Sequence, residues 1–124
     1  MTMPHERMRS LRWGWELLEA MQHDASLPAE SVQRAANLLL NYPAPDVLAA
    51  LVGPTPPMLS TTVGSSIDSA RELFQRVQYG GHGSAETRAH VKFTLRHFPM
   101  KGEVVLSADV PGLGGLKSWL AAEE

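Results

Sequence analysis

The sequence predicts a mainly α protein, two helix–turn–helix repeats packed as a compact bundle. Three observations predict it. Apolar residues recur every three or four positions along four segments, the period of a helix with one buried face. A shift of 56 positions aligns two parts of the chain without a gap: Ala29, Glu30 and Ser31 fall on Ala85, Glu86 and Thr87, Leu39 on Leu95, and Tyr42 and Pro43 on Phe98 and Pro99. At the same offset Glu16 to Gln22 falls on Glu72 to Gln78. Finally, 44% apolar and 19% charged residues with no cysteine describe a chain that can build a packed core without disulfides.

The first helix runs from Pro4, a residue suited to a first turn, to about His23. Met8, Leu11, Trp15, Leu18 and Met21 share one face, with Trp13 and Leu17 off that stripe and Trp13 partly exposed. Asp24 to Pro28 is a turn with Ser26 as its capping candidate. The second helix spans about Pro28 to Asn41. Its apolar arc is Val32, Ala35, Ala36, Leu38, Leu39 and Leu40, followed by Tyr42. Pro43 ends it, because a residue before proline avoids the α region. Asp46 to Leu51 makes a short third helix closed by Gly53.

Residues 53–66 hold three prolines, two glycines and several hydroxyl residues, and read as a linker. Residues 1–52 are then the first repeat, 67–108 the second and 109–124 a tail with a short helix around Leu116, Trp119 and Leu120. The second repeat opens with Ser66 or Asp68 as cap. Ile67, Ala70, Phe74 and Val77 form its stripe, flanked by Leu73. Tyr79 to Gly83 is a turn, and Ser84 caps a helix that reaches about His97. Glu103 to Ala108 departs from the first repeat, with a short β segment near 103–107 and a plain extended segment as the alternatives.

One repeat of roughly 45 residues buries too little apolar surface to stand alone. Two repeats can cover each other's stripes, which predicts a four-helix core with approximate two-fold symmetry. Exchange through the linker into a homodimer is the intermolecular form of the same arrangement.

Net charge is −2, so polyanion binding by overall charge is excluded. Thiolate zinc sites are excluded with the cysteines. No apolar run approaches the roughly 18 residues of a membrane span, and no apolar region follows the N-terminal charges as in a secretory signal. The expectation is a cytoplasmic protein with no membrane contact and no cofactor.

The two repeats differ on one helix face. The arc that carries Val32, Ala36 and Leu40 in the first repeat carries Arg88, Lys92 and Arg96 in the second. These three lie within about 80° of one another and flank the apolar face of Thr87, Val91, Leu95 and Phe98. From Arg71 to Lys101 there are six Lys or Arg against two Glu. The stripe is either a solvated face or a docking surface for an acidic protein or a phosphate backbone. Three charges are few for nucleic acid, and no aromatic lies between them for base stacking. On the far side, His90, Phe93 and His97 replace Arg34, Asn37 and Asn41. That exchange predicts extra burial, against the C-terminal segment or against another chain.

No catalytic motif emerges. His90 and His97 are two turns apart, about 10 Å along a helix, too far to share a metal. Tyr79 to Ser84 has the glycines of a phosphate-cradling loop but no Walker lysine after it.

The opening Met1 to Arg7, with Pro4, His5 and Glu6, and the helix end Leu95, Arg96, His97, Phe98, Pro99 resemble a family of short, functionally uncharacterised bacterial proteins. That family has a Met-Thr-x-Pro-His/Tyr-Glu-Arg opening and a Leu-Arg-His-Tyr-Pro helix end. The resemblance covers the first half and the end of the later helix. Leu40 and Asn41 depart from its Arg-His pair. It implies a small helical protein and brings no catalytic residues.

The resulting expectation is a non-enzymatic interaction or regulatory protein, such as a small inhibitor or accessory factor of a mobile element. It binds another protein through Arg88, Lys92, Arg96, His90, Phe93 and His97. The rivals are a nucleic-acid-binding module using the basic stripe and a small enzyme.

Overall fold

The computed structural model describes residues 4–51 and 61–100, which form five α-helices and, among the described residues, no strand. They are α1 (Pro4–Met21), α2 (Ala29–Leu39), α3 (Pro45–Leu51), α4 (Thr61–Gly80) and α5 (Ala85–Leu95). The bounds of α2 and α5 coincide at the offset of 56, so the second helix of each unit is the same length and ends at the same distance from its proline.

The repeat is also legible in the core. Leu11 and Ile67, Leu17 and Leu73, Leu18 and Phe74, Met21 and Val77, Ala35 and Val91, and Tyr42 and Phe98 are pairs at that offset, and every member is buried. Ser10 and Ser66 are a further buried pair, and each hydroxyl bonds the carbonyl three residues back, Arg7 at 2.8 Å and Val63 at 2.6 Å. α1 packs on α2 and on α5, α4 packs on α5 and on α2, and α3 closes against α1 through Leu48 and Leu51. The four long helices therefore run α1, α2, α4, α5 around a ring. Each long helix touches the opposite-type helix of its own unit and that of the other unit, the two-fold arrangement that mutual burial requires.

The aromatic ahead of each proline closes its unit. Phe98 meets Phe74 edge to face with centroids 5.6 Å apart. Arg71 donates from Nη1 to the carbonyls of Phe98 at 3.2 Å and Pro99 at 3.1 Å, placing a cation at the end of α5. Gly81, with φ 66°, donates its N–H to the Val77 carbonyl and ends α4 in the left-handed conformation that glycine adopts freely.

Several sequence expectations are corrected. The segment 61–66 is helical, so the linker is shorter than 53–66 and α4 starts before the Ser66 and Asp68 caps. Composition misled there: the hydroxyl of Ser66 folds back on its own helix, and the residue packs beside Ile67 in the core. Leu17 is fully buried because α1 is covered by three neighbours rather than along a single stripe. The arc of α2 is narrower than its apolar letters: only Ala35 is fully buried and Leu40 is 82% exposed. α2 has no side-chain cap; Asp24, not Ser26, organises the preceding turn, accepting from the Ser26 N–H at 2.9 Å. The β segment near 103–107 and the C-terminal helix lie outside the described residues.

Candidate functional site

α1 and α5 run antiparallel. Glu6 meets His97 near one end, Trp13 meets His90 near the middle, and Asp24 meets Ser84 and Thr87 at the other end. A groove lies along their contact.

At the Asp24 end the groove is anchored. The Asp24 carboxylate accepts from the Thr87 hydroxyl at 2.5 Å and from the Ser84 N–H at 3.0 Å, while its other oxygen takes the Ser26 N–H. The hydrogen bond from Thr87, then those from Ser84 and Ser26, hold this carboxyl far below the usual carboxylate range. Ser84 itself accepts from the Thr87 N–H at 3.2 Å, as its capping role requires. The first unit's turn thus completes the cap of the second unit's helix. A cleft of about 420 Å³ opens here, lined by His23, Asp24, Glu86 and His90 among others. Among the described residues, no group of three or more His, Cys, Asp or Glu is placed to hold a metal ion.

At the other end a cleft of about 370 Å³ is lined by Glu6, Arg9 and Trp13 of α1 and by Phe93, Arg96 and His97 at the end of α5. The guanidinium of Arg9 sits 5.0 Å over the Trp13 ring, one turn along the same helix. Phe93 is 51% exposed. His97 Nε2 is 2.9 Å from Glu6, and the His97 carbonyl is 3.1 Å from the buried Ser10 hydroxyl.

The six residues expected from sequence are split by this geometry. Arg88, Lys92 and Arg96 are all exposed on the outer side of α5. His90 and His97 are half-buried and each meets α1, while Phe93 is exposed; the C-terminal segment expected to cover them lies outside the described residues. Desolvation lowers the His90 pKa, opposed by the charge of Glu16 and a hydrogen bond to the Trp13 backbone. Arg96 and Phe93 join the cleft. Arg9 and Trp13 were missed; the spacing of an Arg and a Trp one turn apart was the available signal, but only the fold brings them to α5.

The contact between α2 and α4, the counterpart of the α1–α5 contact at the offset of 56, gives an internal comparison. Glu16 beside His90 has its counterpart in Glu72, 3.6 Å from Arg34; Glu72 and Arg34 form an ion pair, whereas burial favours the neutral form of His90. The cleft residues differ in kind. At the offset of 56, Glu6, Arg9 and Trp13 correspond to Thr62, Ser65 and Ser69, and Phe93, Arg96 and His97 to Asn37, Leu40 and Asn41. At these positions one contact carries charge and aromatic rings where the other carries neutral side chains and no ring.

Searches against protein-family models, curated proteins and solved structures return no match for this chain.

Proposed function

We propose that this protein is a non-enzymatic interaction or regulatory protein that docks another protein along the α1–α5 groove. The observation that supports it is the divergence between two helix contacts built on one plan. A fold that forms with serine, asparagine and leucine at one contact does not need arginine, tryptophan and phenylalanine at the other. Those residues are exposed or half-buried aromatic and cationic groups of the kind enriched where protein surfaces meet. A small inhibitor or accessory factor working in the cytoplasm fits this reading.

A nucleic-acid module is the second reading, and one observation favours it: Trp13 and Phe93 bring aromatic surface beside Arg96, which the α5 stripe alone lacks. Against it, Glu16, Glu86 and Asp24 follow along the α1–α5 contact beyond the cleft. A phosphate backbone tracking that path meets carboxylates, whereas a protein surface can present groups of both signs.

A photo-crosslinking amino acid placed at position 93, and at position 37 as the equivalent at the other contact, tests the proposal in cells that make the protein. Protein adducts from position 93 and none from position 37 support it. Equal adducts from both positions, or nucleic-acid adducts from position 93, overturn it.

A further inference from the structure

We infer that the cleft between Trp13 and Phe93 takes an acidic segment of the partner protein, one aromatic anchor side chain flanked by carboxylates. This deepens the docking role proposed above and rests on it. The cleft has an aromatic lining and a cationic rim: Trp13 and Phe93 line it, with Arg9 on one helix and Arg96 on the other. Lys92 and Arg88 continue the cations along α5 at intervals of one turn, about 6 Å. Arginines on opposite walls are placed for carboxylates on either side of a single inserted ring, and guanidinium binds carboxylate in a bidentate fork. Glu6, the one carboxylate among the described residues lining the cleft, is engaged by His97 at 2.9 Å.

Size points the same way. About 370 Å³ is at the low end for a small-ligand pocket, enough for one large side chain and its flanks. The Arg9 guanidinium covers one face of Trp13, so the exposed Phe93 ring is the open aromatic surface for the inserted side chain.

The test uses the full chain and fluorescence anisotropy with four labelled probes. These are a short glutamate-rich peptide with one central tryptophan, the same peptide with that tryptophan changed to alanine, the same with its glutamates changed to glutamine, and an oligothymidylate strand. The expected result is binding of the first peptide, weakened roughly tenfold or more by either peptide change. The oligothymidylate strand should bind more weakly than the first peptide. No binding of the first peptide, equal binding of the three peptides, or tighter binding of the oligothymidylate overturns the inference.

A transplanted variant carrying Arg9→Ser, Trp13→Ser, Phe93→Asn and Arg96→Leu separates this from the broader proposal. The double variant Arg9→Gln, Arg96→Gln repeats the test with the aromatic pair intact. If the peptides bind alike but all lose the transplanted variant, the groove stands as a docking face and the aromatic anchor falls. If the first peptide binds wild type and both variants equally, the docking face falls as well.

Discussion

The Tyr42 hydroxyl donates to the Leu11 carbonyl across 2.6 Å, tying the end of α2 to the middle of α1. Tyr42 is buried, and that burial raises its pKa well above the ordinary tyrosine value, so it is a neutral donor throughout the physiological range. The approach is possible because Gly14 has no side chain. A Cβ there would lie 2.3 Å from the Tyr42 hydroxyl and 2.8 Å from Cε1 of Phe98. Both proline-preceding aromatics, one from each unit, thus converge on a single glycine of α1.

Gly14→Ala is therefore expected to destabilise the protein, by about 1–3 kcal/mol for overpacking, despite alanine's better helix propensity. Tyr42→Phe alone costs about 1 kcal/mol for the lost hydrogen bond. Because the hydroxyl is the nearest obstacle to the new methyl group, Tyr42→Phe should cost less in the Gly14→Ala background. Urea denaturation of the four proteins in this double-mutant cycle measures the coupling.

Asp24 contributes to acid stability through its hydrogen bonds from Thr87, Ser84 and Ser26. Its carboxyl is depressed in the folded state, so its contribution is complete above the unfolded value, about 3.9, and is lost as pH falls below that value toward the folded pKa. Asp24→Asn should cost about 1–3 kcal/mol at neutral pH. It should also flatten the fall in stability below pH ~4, where the wild-type unfolded chain takes up the proton first. Thermal melts of both proteins across this range check the sign.

His90 acts in a different window. Its folded pKa lies below the ordinary histidine value of about 6.5, so the unfolded state binds the proton more readily and stability drops as pH falls through that value toward the folded one. Among the groups around it are the carboxylates of Glu16, Asp24 and Glu86, and Glu16 raises the pKa. His90→Gln should reduce the slope of stability against pH in that window while leaving the Asp24 transition in place. Denaturant midpoints at closely spaced pH values separate the two.

Thr94 is fully buried on α5, and among the described residues its hydroxyl has no hydrogen-bond partner. Its counterpart at the offset of 56 is Leu38, an apolar residue. Thr94→Val keeps the shape and removes the unpaired group, so it should stabilise by about 1 kcal/mol and raise the melting temperature by several degrees. A melt lower than wild type would show that the hydroxyl has a partner in solution.

The sequence carried the two second helices most clearly, because proline stops and Ala-Glu starts are local signals that packing does not override. The start of α4 was hidden: threonine, glycine and serine at 61–66 have the composition of a linker, yet they are helical, with Gly64 and Ser66 buried ahead of Ile67. Leu17 and Leu40 failed in opposite directions. A stripe counted along one helix does not reveal that α1 has three neighbours, or that the outer face of α2 has none covering Leu40. The basic stripe on α5 was legible, but its aromatic partners were not. Trp13 is 80 positions from Phe93, and no periodicity says which helix will lie beside α5.

The claim underneath all of this is that the fold needs what its two units share and leaves free what they do not. The unfolding free energy of the variant carrying Arg9→Ser, Trp13→Ser, Phe93→Asn and Arg96→Leu tests it most directly. The expected loss is no more than about 2 kcal/mol, since surface changes are individually small and Trp13 is only half-buried. Leu17→Ala, at a position the units share, should cost about 2–5 kcal/mol. A transplanted groove that unfolds as readily as the Leu17 variant would contradict the claim, because its residues would then be part of the core.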